Sequence, residues 1–547
     1  MIKRGLHPFW AWLVRGLFLA LFVAVLWLQC SAKINLITAD LGRHIHNGAI
    51  FSQSKEILST NYYAYTHPGF PTICHHWGAG VIMFWVQQMG GFLALSVFYT
   101  AILVVTVLVF FAVAWRWAGF WNAMLMALLS LPLLAYRVEI RPEGFTTLFL
   151  GLELLILWSI RARWASVRWL WAIPVIQFVW INSHILFFTG FALMTFFIVE
   201  ALLTDRQRGL WKTMIFVGVS AAGVSLLNPS GLSGFLEPLN IFREYGYQLV
   251  ENQSLFFMLQ RFPGQFVYPY LAGILSVSVV LLGVRFALER RWQAVVLDIL
   301  VLIFFGLMSL KAVRAMAMFG LFFIPFVAFQ LQQIIVLSPQ TWGVWVSRLV
   351  KAAVMVLLGG AALNPGFFLS PLNSTRFLLS AEPAACRRSL LSTLAYPQVW
   401  AGLMPEVNGS AGFFKANGLK GPIFNNYDIG GYLIYHLFPQ ERPFVDNRPE
   451  AYPVEFFSKV YTPMQENDAL WVAVDRQYGF QVIYFFRHDQ TPWAQPFLLR
   501  RVDDPLWAPV FVDAYTIIFV KRGGINQPVV EKFELPRAMF HSTPTGR

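Results

Sequence analysis

The sequence predicts an α-helical polytopic membrane protein with about eleven transmembrane helices and a C-terminal extracytoplasmic α/β domain. Three observations predict it. Of 547 residues, 57% are hydrophobic and only 13% are charged, whereas about a quarter of a soluble domain is charged. Long apolar runs with short polar breaks recur up to about residue 364. Beyond that point the runs shorten and turn residues multiply.

The N-terminal segment has a basic start and an apolar run too long for a secretory signal, with no small-residue cleavage site. It reads as an uncleaved first span, over 11–31. Further spans are expected at 93–115, 120–136, 145–160, 169–183, 185–203, 213–227, 267–288, 295–310, 315–336 and 346–363. The apolar stretch 79–91 is too short to cross and reads as an interfacial helix within an outer loop, 32–92. The membrane domain is thus 1–364, followed by a linker over 365–405 and an α/β domain over 406–547.

Orientation follows from the breaks. One alternating set carries Lys3, Arg4, Arg116, Arg161, Arg163, Arg168, Arg206, Arg208, Lys212, Arg285, Arg290, Arg291 and Arg348, with few acids beyond Asp205 and Glu289. Basic loops stay in the cytoplasm. The other set (32–78, 137–144, the junction near 184, 228–266, 311–314 and everything after 364) then faces the periplasm of a bacterial inner membrane, and the N-terminus lies inside. The net charge of +13 (41 Lys and Arg, 28 Asp and Glu) is accounted for by these loops. No nucleic-acid motif accompanies it. Three cysteines without a CxxC pair exclude a disulfide framework, and only a Cys74–Cys386 bridge is left open. In the C-terminal part PIFNNY, RPFVD, GFQVIYFF, LLRRV and TIIFVK read as strands, with GGYLIYHLF and PVEFFSKVY as helices between them.

The unusual polar residues collect on one side. Asp40, Arg43 and His44 lie in the first outer loop, Arg141 and Glu143 in the second, and Asn182 and His184 end an outward helix. Asn228 opens the next loop, and Lys311 and Arg314 bracket a hairpin. Ionisable groups beside helix ends mark a site. Asp40 and His44 are four apart and share a helix face, which suits either a divalent metal or a base and its orienter. The bland alternative for Asp40 is a helix cap. Arg141 is either a phosphate ligand or part of a helix start with Pro142 and Glu143. Asn182 and His184 need partners in an apolar run, which neighbouring helices or a substrate can supply. Lys311 and Arg314 either snorkel or clamp a phosphate. His75, His76 and Trp77 are either a ligand pair or an interface anchor, and the tryptophan favours the anchor. In the C-terminal domain Tyr427 and Asp428 fall in a strand–turn–helix, and Asp446 and Arg448 follow the next strand, where α/β sheets bind ligands. Walker A, GxGxxG, HExxH and GxSxG motifs are absent.

The ordered set ADLGRHIHNGAIF, NYYAYTHPGFPTICHHWGAG, IRPEGFTTLF, WINSHILFFTG, LLNPSGL, LKAVRAMAMFGLFFIPF, FNNYDIGGYLIYHLF and RPFVDNRPEAY spans most of the chain. It resembles bacterial multi-spanning membrane proteins grouped with the GT-C glycosyltransferases. The resemblance implies a polyprenyl-phosphate-linked sugar as donor, an extracytoplasmic site and a catalytic acid at the position of Asp40. It also implies a divalent metal near that acid in some members. FNNYDIGGY is loosely similar to the Trp-Trp-Asp-Tyr-Gly segment of oligosaccharyltransferases, but Asn425 and Asn426 replace the aromatic pair, so sequon recognition is not carried over. The His-Glu-Trp usual in the group is His75-His76-Trp77 here, and Glu143 stands where a neutral or basic residue is expected. The expectation is a membrane glycosyltransferase with Asp40 as base or metal ligand, oriented by His44. Arg141, Lys311 and Arg314 would then hold the carrier phosphate. The alternative is a transporter or a non-catalytic carrier-binding protein. Transporters show inverted repeats and interrupted mid-membrane helices, and neither is evident; Asp298 is the exception among the charges, lying within a span.

Overall fold

The computed structural model describes residues 8–204, 209–241, 243–363 and 401–540. Lys3, Arg4, Asp205, Arg206, Arg208, Cys386 and most of the expected linker lie outside them.

The membrane part is a helical bundle. Its helices are α1 (Pro8–Cys30), α2 (Leu41–Ser54), α3 (Trp77–Ala118), α4 (Phe120–Ala135), α5 (Glu143–Arg161), α6 (Ala172–Ile181), α7 (Phe188–Thr204), α8 (Leu210–Ser225), α9 (Gly231–Leu236), α10 (Leu255–Arg261), α11 (Val267–Glu289), α12 (Val296–Lys311), α13 (Met316–Leu337) and α14 (Gln340–Leu363). Every expected span overlaps one of them. Seven are long and apolar enough to cross a membrane, counting the short turns that lead into α7 and α13. Helices α4 and α8, and α6 with its leading turn, are apolar but shorter. At 1.5 Å per residue a full crossing needs about 20 residues, so length alone separates the two groups.

Helix α13 lies at the centre and is buried along Met318–Gln330, as expected of a helix that is apolar all round. Asp298 has a local reason to sit in the bundle: Arg285 donates to its Oδ2 at 2.9 Å and to Gln330 Oε1 at 3.0 Å. Arg161 and Glu200 form another buried pair, from the ends of α5 and α7. The stretch 79–91 is not a separate helix. It is the first limb of α3, which breaks at Gly90 and Gly91 before the spanning limb begins. Gly91 has φ +66°, a conformation that glycine adopts without strain.

The C-terminal domain is a four-stranded sheet with helices. Its elements are α15 (Gly409–Ala416), β1 (Ile423–Asn425), α16 (Gly430–Leu437), α17 (Thr462–Glu466), α18 (Asp468–Tyr478), β2 (Val482–Phe486), α19 (Ala494–Asp503), β3 (Trp507–Val512), β4 (Thr516–Lys521) and α20 (Gln527–Phe533). Strand order is β1-β2-β4-β3, with β1 parallel to β2 and the other pairs antiparallel. Two expected strands are corrected. LLRRV lies in α19, whose buried residues Phe497, Leu498, Arg501 and Val502 follow a helical period rather than alternation. RPFVD is loop, with a bend at Phe444 and no ladder partner among the described residues. A strand not anticipated, β3, contains Pro509; it sits at the sheet edge with an irregularity between Pro509 and Phe511, where proline is tolerated.

The domain docks on the first outer loop. Ile34 N–H donates to Gly402 O at 2.8 Å, and Met404 N–H returns to Ile34 O at 3.0 Å. Tyr65 and Thr66 donate to the carbonyls of Ile423 and Phe444. Helices α2 and α16 meet backbone to backbone: a Cβ on Gly42 would lie 2.8 Å from Tyr435 Cβ, and one on Gly431 would lie 3.1 Å from Ala39 O. That contact places the FNNYDIGG turn directly over Asp40.

Candidate functional site

Asp40 precedes α2 but its side chain makes no cap hydrogen bond. The carboxylate turns to its own helix instead. His44 Nε2 lies 3.0 Å and Arg43 Nη2 lies 3.3 Å from Oδ2. Burial opposes the charge on Asp40, but His44, Arg141 and Arg43 together hold the carboxyl well below its usual range. Burial and the Arg43 charge keep His44 below the usual histidine range, with Asp40 pulling the other way. At neutral pH the carboxylate is therefore charged, and a neutral His44 donates Nε2–H to it. This leaves Asp40 Oδ1 and His44 Nδ1 buried with no hydrogen-bond partner among the described residues. Buried polar atoms are rarely left unpaired, and functional sites are where the exceptions gather.

Three imidazoles line up from here. The His44 and His76 rings are 5.3 Å apart, and those of His76 and His184 are 5.2 Å apart. His184 is fixed by its surroundings. Trp180 Nε1–H donates to Thr146 Oγ1 at 2.8 Å, and the same hydroxyl lies 2.8 Å from His184 Nδ1, to which it donates when that nitrogen is the unprotonated one. Leu186 N–H donates to that same nitrogen at 3.4 Å, which makes Nδ1 an acceptor. The His184 proton is thereby placed on Nε2. Burial first, then the Arg314 charge, hold this ring well below the usual histidine range.

The second part of the site is a cluster of cations. Glu251 Oε2 accepts from Arg137 at 2.9 Å and from Arg141 at 2.8 Å, and Arg314 lies 3.9 Å from Oε1. Arg137 also pairs with Glu143 at 2.6 Å, and Arg141 with Glu139 at 3.0 Å. Behind Arg137 and Arg314 runs a narrow, partly open cavity of about 50 Å³, its wall mostly apolar side chains such as Leu103, Val107, Leu134 and Leu321. Arg137, Glu139 and Glu251 were not singled out in the sequence.

The domain supplies the roof. Tyr427 is stacked on Tyr247, centroids 4.3 Å apart. Asp428 is raised to about 7, by burial and then by Asp489, with Arg141 opposing. An acid with a raised folded-state pKa costs stability as pH climbs from its unfolded value to the folded one. Asp428→Asn is accordingly expected to raise the melting temperature at pH 8 and leave it unchanged at pH 4, read by a thermal melt at both pH values.

Several expected site residues have other employment. Asn182 accepts from Trp77 Nε1 and donates to Phe178 O, so it ties α3 to α6. Asn228 closes its own turn through Ser225, Ser230 and Gly231. Asp446 is fully buried and holds Arg448 by two bonds, and Arg448 reaches Asn61. That group fastens the domain to the outer loop. Lys311 is exposed at the end of α12 and does not line the cavity that Arg314 lines. His75 is buried in the protein, which corrects its reading as an interface anchor.

Among the described residues no group of three His, Cys, Asp or Glu side chains is arranged to hold a metal. The Asp40–His44 pair does not fit one as it stands. Arg43 shares the Asp40 carboxylate, and the unpartnered nitrogen of His44 is not the one that faces it.

No protein-family model matches the sequence, and no curated protein matches it. Solved structures do. The apo crystal structure of ArnT from Cupriavidus metallidurans matches with a TM-score of 0.54 at 17% identity, covering 97% of this chain and 100% of that one. ArnT bound to undecaprenyl phosphate gives 0.52 at 16%, covering 94% and 98%. The archaeal oligosaccharyltransferase AglB from Archaeoglobus fulgidus, in complex with an inhibitory peptide and a dolichol-phosphate, gives 0.54 at 10%, covering 95% and 77%. The chain has their fold. It is a multi-pass membrane protein of GT-C-like architecture with a strand-containing C-terminal domain. Another structure of the Archaeoglobus oligosaccharyltransferase is a complex with Zn and sulfate; it matches with a TM-score of 0.51 at 11% identity, covering 91% and 72%.

Proposed function

We propose that this protein is a membrane glycosyltransferase that moves a sugar from a polyprenyl monophosphate to an acceptor hydroxyl on the periplasmic face of a bacterial inner membrane. The observation that carries the reading is the junction of an apolar cavity with a cationic rim, beside a charged carboxylate that keeps one oxygen unpartnered. Such a site suits a ligand with a long apolar tail and a phosphate head. The fold shared with proteins solved with undecaprenyl phosphate and dolichol-phosphate supports the same ligand class.

In this reading Asp40 Oδ1 takes the proton of the acceptor hydroxyl as its oxygen attacks the anomeric carbon. The bond from that carbon to the phosphate oxygen breaks, and the carrier leaves as polyprenyl monophosphate with the bonding electrons. His44 orients Asp40 through Nε2–H, and Arg43 keeps it charged. Arg137, Arg141 and Arg314 meet the charge that grows on the leaving phosphate, where preorganised cations lower the barrier most. His184 and Asp428 flank the reacting groups. No step is routed through a metal. The N-terminus is placed in the cytoplasm and the domain in the periplasm, on the distribution of basic loops.

The test is retention of the carrier. Native mass spectrometry of the detergent-solubilised protein with undecaprenyl phosphate is expected to show one bound equivalent, and little with undecaprenol. Equal retention of both, or of neither, sinks the proposal.

A further inference from the structure

Glu251 is set apart from the other acids of the site by where it comes from. Arg137 and Arg141 each have a carboxylate partner from their own short segment, Glu143 and Glu139. Those two pairs are enough to orient both guanidinium groups. Glu251 is a third carboxylate, brought in from the irregular stretch between α9 and α10, and it sits where Arg137, Arg141 and Arg314 converge. Its two oxygens face three cations, which is the arrangement a phosphate head would ask for. It also lies beside the apolar cavity, because Arg137 and Arg314, which it faces, both line that cavity. A tail in the cavity with its head at the rim would put phosphate oxygens where the Glu251 oxygens now are. Two anions cannot share that point without strong repulsion.

We infer that the Glu251 carboxylate is a built-in stand-in for the carrier phosphate, which must leave the arginine cluster before the lipid head can take its place. The inference rests on the carrier reading above and adds to it a specificity and gating residue. Its consequence is competition within the molecule. Only the fraction of protein with Glu251 withdrawn is competent to bind, and the apparent affinity falls by that fraction. The contact also has a route to the domain. Tyr247, four residues earlier on the same stretch, is stacked on Tyr427 of the FNNYD turn. Gln253 O, two residues later, accepts from Val313 N–H beside Arg314 at 3.0 Å. Release of Glu251 therefore pulls on a segment that is pinned to the roof at one end and to the Arg314 hairpin at the other. An empty site is held closed, with its cations neutralised, and a phosphate of the right charge opens it.

The opposite role is a structural one, in which Glu251 holds the arginines in the pose that binds phosphate. The two roles predict opposite signs. If the carboxylate competes, Glu251→Gln keeps the shape, removes the charge and tightens undecaprenyl phosphate binding by about tenfold or more, with no gain for undecaprenol. If it only positions the arginines, the same change weakens binding or leaves it alone, and that result overturns the inference. A measurement on the unaltered protein guards against a variant that does not fold. Hydrogen exchange in the 245–253 segment is expected to rise when undecaprenyl phosphate saturates the wild type, because the carboxylate is displaced. Unchanged or slower exchange in a sample shown by native mass spectrometry to carry the lipid overturns the inference and leaves the carrier reading standing. Failure of the wild type to retain the lipid overturns the carrier reading, and the inference with it.

Discussion

Asp40→Asn lowers sugar transfer by about 10²–10⁴-fold, the range seen when a general base is lost, and leaves undecaprenyl phosphate retention within about twofold. The asparagine keeps an oxygen for His44 Nε2–H, so helix α2 and the Gly42–Gly431 contact are undisturbed. What goes is the charge. Asp40 is the carboxylate that His44, Arg141 and Arg43 all act to keep ionised, and its Oδ1 is the buried acceptor without a partner. Because the folded-state pKa is depressed, the carboxylate is present above that value and is lost only as pH falls through it. Transfer by the wild type is thus expected to owe nothing to Asp40 titration between pH 6 and 8. The measurement is product formation from a polyprenyl-phosphate sugar panel, with carrier retention scored on the same samples. A protein that only binds and presents the carrier would keep its cationic cluster and tolerate the change. Full activity in Asp40→Asn would therefore move the non-catalytic reading to first place, and loss of activity together with loss of retention would point to misfolding.

Much of this architecture was legible in the sequence because it depends on local composition. Each apolar run expected to span overlaps a helix, since lipid and core ask the same thing of a segment. Asp40 and His44 were legible for a similar reason: a spacing of four fixes a shared helix face, and the two side chains do meet. The domain was legible in part. A strand containing Pro509 was missed because proline argues against a strand until the strand is known to be an edge. LLRRV was misread because its leucines and valine satisfy a short strand pattern as well as a helical one. The cation cluster was half legible. Arg141 and Arg314 stood out beside helix ends, but Arg137 and Glu251 acquire their meaning only by meeting each other across 114 positions. No local pattern encodes that meeting, and Glu251 lies in a loop of ordinary polarity. His76 reads as an interface anchor in the sequence because nothing near it there reveals that His44 and His184 flank it.

Arg314→Ala weakens undecaprenyl phosphate binding by about 10–100-fold, the equivalent of losing one charged hydrogen bond of about 1.5–3 kcal/mol. Arg314 differs from its two neighbours. Arg137 and Arg141 hold carboxylates within 3.0 Å, whereas the ion pair of Arg314 with Glu251 is 3.9 Å long, beyond hydrogen-bond reach. Its guanidinium is thus the least committed of the three and has donors to offer an arriving phosphate. It also sits in the turn that opens α13, where the helix N-terminus adds positive potential. Arg314→Lys should recover part of the affinity, because a lysine supplies the charge but not the planar pair of donors. Raising salt should weaken wild-type binding only modestly, since the three arginines are largely buried and such charges are screened less than exposed ones. Removing Arg314 also takes away one of the charges that depress His184, so the pKa of that imidazole rises in Arg314→Ala, a shift readable by NMR of the labelled ring. Affinity lost with that shift places Arg314 at the shared point of the phosphate and histidine groups. Affinity retained with the same shift would mean that the phosphate binds elsewhere and that the cluster serves only to hold the hairpin.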